Sequence, residues 1–102
     1  MSNSKLYNIC KEIAIVEDKL AYGEIDFSYD KLMCAMKSGH PADILDDILS
    51  IIGWDVNKGI EPSIEKLEET LEGLKDFQAT FKVNLKKQIK DLQSYIKEKR
   101  EI

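Results

Sequence analysis

One histidine, two cysteines, three closely spaced aspartates and a row of lysines are the side chains of this chain whose types could do chemistry. His40 is the one histidine. It stands in Ser38-Gly39-His40-Pro41, a stretch of chain breakers, and reads as an exposed turn residue rather than a general acid or base. The sequence does not fix how near it lies to Cys34 or Asp43. Cys10 and Cys34 form neither a CxxC pair nor a Cys/His ligand pattern, so they read as buried, reduced thiols used as small apolar side chains. Asp43, Asp46 and Asp47 share a helical face, but no calcium-loop pattern surrounds them. They read as a solvated acidic face in the first turns of a helix, where the dipole favours negative charge. There is no glycine-rich phosphate loop, no paired-carboxylate constellation and no nucleophile–base motif. The expectation is a non-enzyme without a metal or cofactor.

The lysines are more informative. Residues 61–80 carry six acidic side chains against Lys66 and Lys75, whereas residues 81–100 carry seven basic ones against Asp91 and Glu98. Lys82, Lys86, Lys90 and Lys97 fall near one helical face, with Tyr95 and Arg100 close by. That is the best candidate for nucleic-acid contact. The competing reading is a solvated face whose positive charge complements the C-terminal end of the helix dipole. A helix-turn-helix around Ser38–Pro41 is disfavoured, because its reading helix would hold three aspartates and no basic residue against phosphates.

These side chains need elements to hold them. Ser4 can cap a first helix to Ala21, with Leu6, Ile9, Cys10, Ile13, Val16 and Leu20 spaced by three and four, and Tyr22-Gly23 closing it. Asp26 or Ser28 can cap a shorter helix to about Met36, with Leu32, Met33, Cys34 and Met36 inward. Pro41 suits the first position of a third helix, Ala42–Ile52, stopped by Gly53. Trp54 and Ile60 then fold back as a plug over one end of the bundle.

From Pro62 to Arg100 the spacing predicts one long helix. Its two heptad rows are Ile64, Leu71, Gln78, Leu85, Leu92, Lys99 and Leu67, Leu74, Phe81, Gln88, Tyr95, Ile102. No proline interrupts it, and it would be about 58 Å long. Such a stripe demands a partner. Because its halves carry opposite charge, two copies laid antiparallel would pair acid with base, so an antiparallel homodimer is expected. Gln78 and Gln88 break the seam, and Phe77, Ile89 and Ile96 widen it.

The fold class expected is therefore all-α: three shorter helices (residues 1–60) packed on one long C-terminal helix (residues 61–102), a single-domain helical bundle with coiled-coil character. The leading function is a protein-interaction module, an adaptor or inhibitor, using Trp54, Phe77, Phe81, Leu85, Leu92 and Tyr95. Nucleic-acid binding through the basic half is the second reading, and a small-ligand site between subunits the third. The net charge of −4 gives no general attraction to nucleic acid or membrane surfaces, and no stretch approaches the ~20 apolar residues of a membrane span. The start lacks a basic region followed by an apolar run, so a cytoplasmic protein is expected.

The run Leu6-Tyr7-x-Ile9-x-x-Glu12, then Leu20-x-x-Gly23-Glu24-Ile25-Asp26, then a long Glu/Lys/Leu segment resembles the plan of small siphovirus coiled-coil accessory proteins. The resemblance covers about half the chain; Met33 to Gly59 departs from the plan. It implies a phage or prophage accessory protein and no known catalytic residues; the partner expected is a host or phage protein.

Overall fold

Apolar residues recur at helical spacing from Leu6 onward, and each such stripe becomes one wall of a shared core. The computed structural model describes residues 4–25 and 40–101, and within them the chain forms four helices and no strand. They are α1 (Ser4–Ala21), α2 (Pro41–Asn57), α3 (Ile64–Phe81) and α4 (Lys86–Glu101). The expected helix from Asp26 or Ser28 to Met36, with Leu32, Met33, Cys34 and Met36, lies outside the described residues.

Each helix packs against two others: α1 on α2 and α4, and α3 on α2 and α4. Side-chain pairs set the directions. Lys5 meets Glu98 and Glu12 meets Lys87, so α1 and α4 are antiparallel. Lys66 meets Asp55 and Gly73 abuts Ile48, so α2 and α3 are antiparallel too. The core between them holds Leu6, Ile13, Leu20, Leu45, Ile52, Leu67, Leu74, Phe77, Phe81, Leu85 and Leu92. The Phe77 and Phe81 rings pack tilted against each other, 4.8 Å between centroids. Thr70 is also fully buried, and its hydroxyl donates to the Lys66 carbonyl at 2.9 Å, so no polar group is stranded there.

Helix ends follow local chemistry. Gly23 closes α1 at φ 73°, with Glu24 N–H donating to the Lys19 carbonyl at 2.7 Å. The Ser63 hydroxyl accepts from Lys66 N–H at 3.3 Å at the start of α3. Gly53, expected to stop the third helix, does not. The helix runs on to Asn57, because Ile52 and Val56 must both reach the core, and Gly59 at φ 73° closes it instead. Trp54 is consequently a helical residue, 67% exposed, with Lys58 Nζ 4.2 Å from the ring centre; it plugs nothing. Ile60 is exposed as well.

The largest correction concerns the long helix. It is two helices, α3 and α4, folded on each other, so the four helices are of similar length rather than three short and one long. The greatest dimension of the protein, 43 Å, is less than a straight Pro62–Arg100 helix would need. Four residues make the reversal. Lys82 takes the left-handed conformation at φ 56°, ψ 36°, and its N–H caps α3 on the Gln78 carbonyl at 3.0 Å. Val83 and Leu85 plunge into the core. The Gln78 side chain accepts from Leu85 N–H at 2.7 Å, and Asn84 accepts from Lys86 N–H at 3.1 Å. A left-handed lysine costs on the order of 1 kcal/mol. Burial of Val83 and Leu85, about 1.5–3 kcal/mol per side chain, more than offsets it.

The acid and base halves therefore meet inside one chain. Glu61 pairs with Lys99 at 3.0 Å and accepts from the Tyr95 hydroxyl, and Glu68 pairs with Arg100. The long helix whose opposed halves would have favoured an antiparallel homodimer does not form, because the halves lie side by side in this hairpin, so that charge pattern no longer argues for a second copy.

Two expected outcomes arise here. A Cβ on Gly73 would sit 3.0 Å from Ile48 Cγ2, so this glycine sets the closeness of α2 and α3. Gly73→Val should cost roughly 1–3 kcal/mol by denaturant unfolding, as overpacking does, and Ile48→Ala in the same chain should recover part of the loss. Equal losses with Ile48 intact and truncated would show that the contact is not what Gly73 serves.

Tyr95 is the second. Burial first, then its hydrogen bond to Glu61, raises its ionisation above the ordinary tyrosine range. The folded state thus holds this proton more tightly than the unfolded chain. The associated stability is fully present below about pH 10 and is lost progressively as pH rises from the ordinary tyrosine value to the raised folded one. In an absorbance titration near 295 nm, Tyr95→Phe should remove the phase that titrates last; loss of an early phase would contradict the assignment.

Candidate docking face

The residues proposed from sequence as an interaction surface divide sharply. Phe77 and Phe81 are 1% exposed, Leu85 and Leu92 are fully buried, and Tyr95 is 9% exposed with its hydroxyl on Glu61. All five build the core and are not available to a partner in this fold. Trp54 alone stands on the surface.

Trp54 belongs to a face that sequence reading did not assemble. α1 and α2 run antiparallel, which lays Tyr7, Cys10 and Ala14 beside Leu49, Gly53 and Val56 along a shallow groove. The groove continues across α2 onto Asp46, Ser50, Trp54 and Asn57. Tyr7 is half exposed and Trp54 more so, while Val56 and Cys10 form the floor. Burial pushes the Cys10 thiol up to about 11, so at neutral pH it is a protonated, apolar floor residue and not a nucleophile.

Gly53 sits at the centre. It is in mid-helix, its φ is not positive, and a Cβ placed on it would meet nothing within 4 Å. A glycine there costs about 1 kcal/mol relative to alanine. No turn and no neighbour within the described chain requires it. What it leaves is a notch between two exposed aromatic side chains.

The ends of the face differ in charge. Asp43, Asp46 and Asp47 lie in the first half of α2, with Glu17 and Asp18 beside them on α1. Burial raises the Glu17 carboxyl above its ordinary range, and the charges of Asp46, Asp18 and Asp43 raise it further. At the other end is Lys58, over the Trp54 ring, while Lys11 lines the groove near its middle, beside Gly53. Among the described residues no set of three or more His, Cys, Asp or Glu side chains is arranged to hold a metal ion. His40 caps α2, its Nδ1 accepting from Ala42 N–H at 3.1 Å.

On the opposite side of the bundle, the basic residues also divide. Arg100 is paired with Glu68, Lys99 with Glu61, and Lys87 with Glu12 and Asp91. Lys82, Lys86, Lys90 and Lys97 are exposed with no ion-pair partner among the described residues. On α4, Lys86, Lys90 and Lys97 lie within about 40° of one another, at roughly 100° per residue. Arg100, grouped with them from the sequence, belongs instead to the α3–α4 seam. No described helix is long and apolar enough to cross a membrane.

Comparison of the chain with protein-family models, with characterised proteins and with solved structures finds no match in any of the three.

The α1–α2 groove can grip a helix or a short apolar segment: it offers two aromatic side chains, a notch that lets a backbone approach closely, and charge of opposite sign at its ends. The sequence signal for it was present in Gly53-Trp54 on a helix with outward-facing Tyr7 alongside. It was masked because Gly53 also reads as a helix stop.

Proposed function

We propose that this chain is a non-enzymatic protein-interaction module, an adaptor or inhibitor, that docks through the α1–α2 face centred on Gly53 and Trp54. The observation that carries the reading is the glycine notch: a helix-weakening residue with open space above it, flanked by exposed Trp54 and Tyr7. Two exposed aromatic side chains beside an open glycine offer a partner anchors and room for close approach. The resemblance to siphovirus accessory proteins supports a partner protein of host or phage origin. The test is a photo-crosslinking residue placed at Trp54, with Glu69 on the outer face of α3 as the control position. Adducts at position 54 and none at 69 are expected; equal yields at the two positions, or none at either, would sink the reading.

One observation favours a second reading. The exposed lysines Lys82, Lys86, Lys90 and Lys97, without an ion-pair partner among the described residues, suit an anionic polymer such as nucleic acid. Its mark would be affinity for single- or double-stranded DNA or RNA that falls steeply with salt and falls again in Lys86→Gln/Lys90→Gln. No binding at low ionic strength removes it.

A further inference from the structure

The outer row of α2 reads Asp46, Leu49, Ser50, Gly53, Trp54 and Asn57. Turned end for end about a point between Ser50 and Gly53, the row maps onto itself: Asp46 falls opposite Asn57, Leu49 opposite Trp54, and Ser50 opposite Gly53. Any helical face has this symmetry of spacing. What is particular here is that the paired types fit. A carboxylate meets an amide with Lys58 next to it. A half-buried leucine meets an exposed indole. A hydroxyl meets a glycine with nothing above it. The α1 side adds to the acidic end, which Glu17 and Asp18 flank.

We propose that the occupant of this face is a second copy of the chain, packed α2 against α2, antiparallel, about a two-fold axis beside Gly53. This rests on the docking reading given above and names its partner. Reversal is what makes the charges agree. Laid parallel, the two copies would set three aspartates of one α2 beside three of the other. Laid antiparallel, each acidic end meets the end of the other copy that carries Lys58. A two-fold contact of this kind is closed, so it ends at a dimer and does not propagate into fibres. Gly53 and Ser50 let the two helix backbones approach closely at the crossing, and each Trp54 ring then lies over Leu49 of the other copy. The α3–α4 hairpin remains outside the contact, so the pairing inside it is undisturbed.

Light scattering over a concentration series tests the proposal. The expected mass rises towards twice that of the chain. Gly53→Gln, which fills the notch, and Asp46→Lys or Lys58→Glu, which break the charge match, should each weaken association at least tenfold. The double variant Asp46→Lys/Lys58→Glu should regain most of it, an outcome that a general loss of folding cannot produce. Far-UV circular dichroism of each variant checks that the helices persist; these positions are on the surface. A single-chain mass at the highest concentration, or a dimer indifferent to Gly53→Gln, overturns the proposal. If the chain is monomeric while the crosslinker at position 54 captures a different protein, the second copy is refuted and the docking reading stands. If position 54 captures nothing, both fall.

Discussion

Phe77→Ala is expected to lower the stability of the chain by about 3–5 kcal/mol, whereas Trp54→Ala should cost no more than about 1 kcal/mol. From the sequence the two aromatic residues looked alike, large apolar side chains near a proposed interface. In the fold Phe77 is 1% exposed, and its ring packs at a tilt against Phe81 within the core. Truncating it removes the transfer term of a whole aromatic ring and leaves a cavity that four mutually packed helices can only partly close. For a domain of this size the loss is a large share of a total of about 5–15 kcal/mol, and a fall in Tm of more than roughly 12 °C follows. Trp54 packs mainly under Lys58, and its removal costs an exposed cation–π contact. Thermal unfolding of the two variants, at a concentration low enough to exclude self-association, measures the contrast. If Phe77→Ala left Tm in place, the packing of α3 described above would be wrong. Tyr7→Ala should behave like Trp54→Ala, because its ring also faces solvent.

How far the sequence carried is best judged from α3 and α4. The apolar seam was legible residue by residue: Leu67, Leu71, Leu74, Phe81, Leu85, Leu92 and Tyr95 are all buried. Its direction was not. The reversal uses residues 82–85, which is about one helical turn, so the stripe resumes in phase on the far side. Periodicity is blind to an interruption of that length, and no proline or glycine marks it. Three local signals did exist. The charge changes sign between residues 80 and 82. Asn84, a residue suited to turns and caps, sits where α4 begins. Gln78, which looked like a flaw in a coiled-coil seam, is the side chain that holds Leu85 N–H. Gly53 erred in the other direction: a glycine permits a helix to end but does not require it, and burial of Ile52 and Val56 decided otherwise. The α1–α2 face was out of reach for a different reason. It depends on which helix lies beside α1, and amphipathic spacing does not encode neighbours.

Nitroxide labels on Glu68→Cys and Arg100→Cys, in a chain carrying Cys10→Ala and Cys34→Ser, should report a separation of roughly 10–20 Å, as expected across two packed helices. A continuous helix would hold the same positions about 48 Å apart. Glu68 and Arg100 form an ion pair in the hairpin, but it is exposed, so replacing both costs under about 1 kcal/mol and does not open the fold. The measurement also bears on assembly. If α3 and α4 straightened in two copies at once, each α4 could replace the other's in the bundle, and every core contact of the hairpin would be remade between chains. The balance is set at residues 82–85. Lys82→Gly relieves the left-handed strain and should favour the short distance. Val83→Ala with Asn84→Ala removes a buried anchor and a turn-forming side chain, raises helix propensity, and should favour the long one. Both distances in one sample, with the long one growing with concentration, would mean that the hairpin is a switch between a closed monomer and an exchanged dimer. A short distance at every concentration would leave the α1–α2 face as the route by which two copies meet.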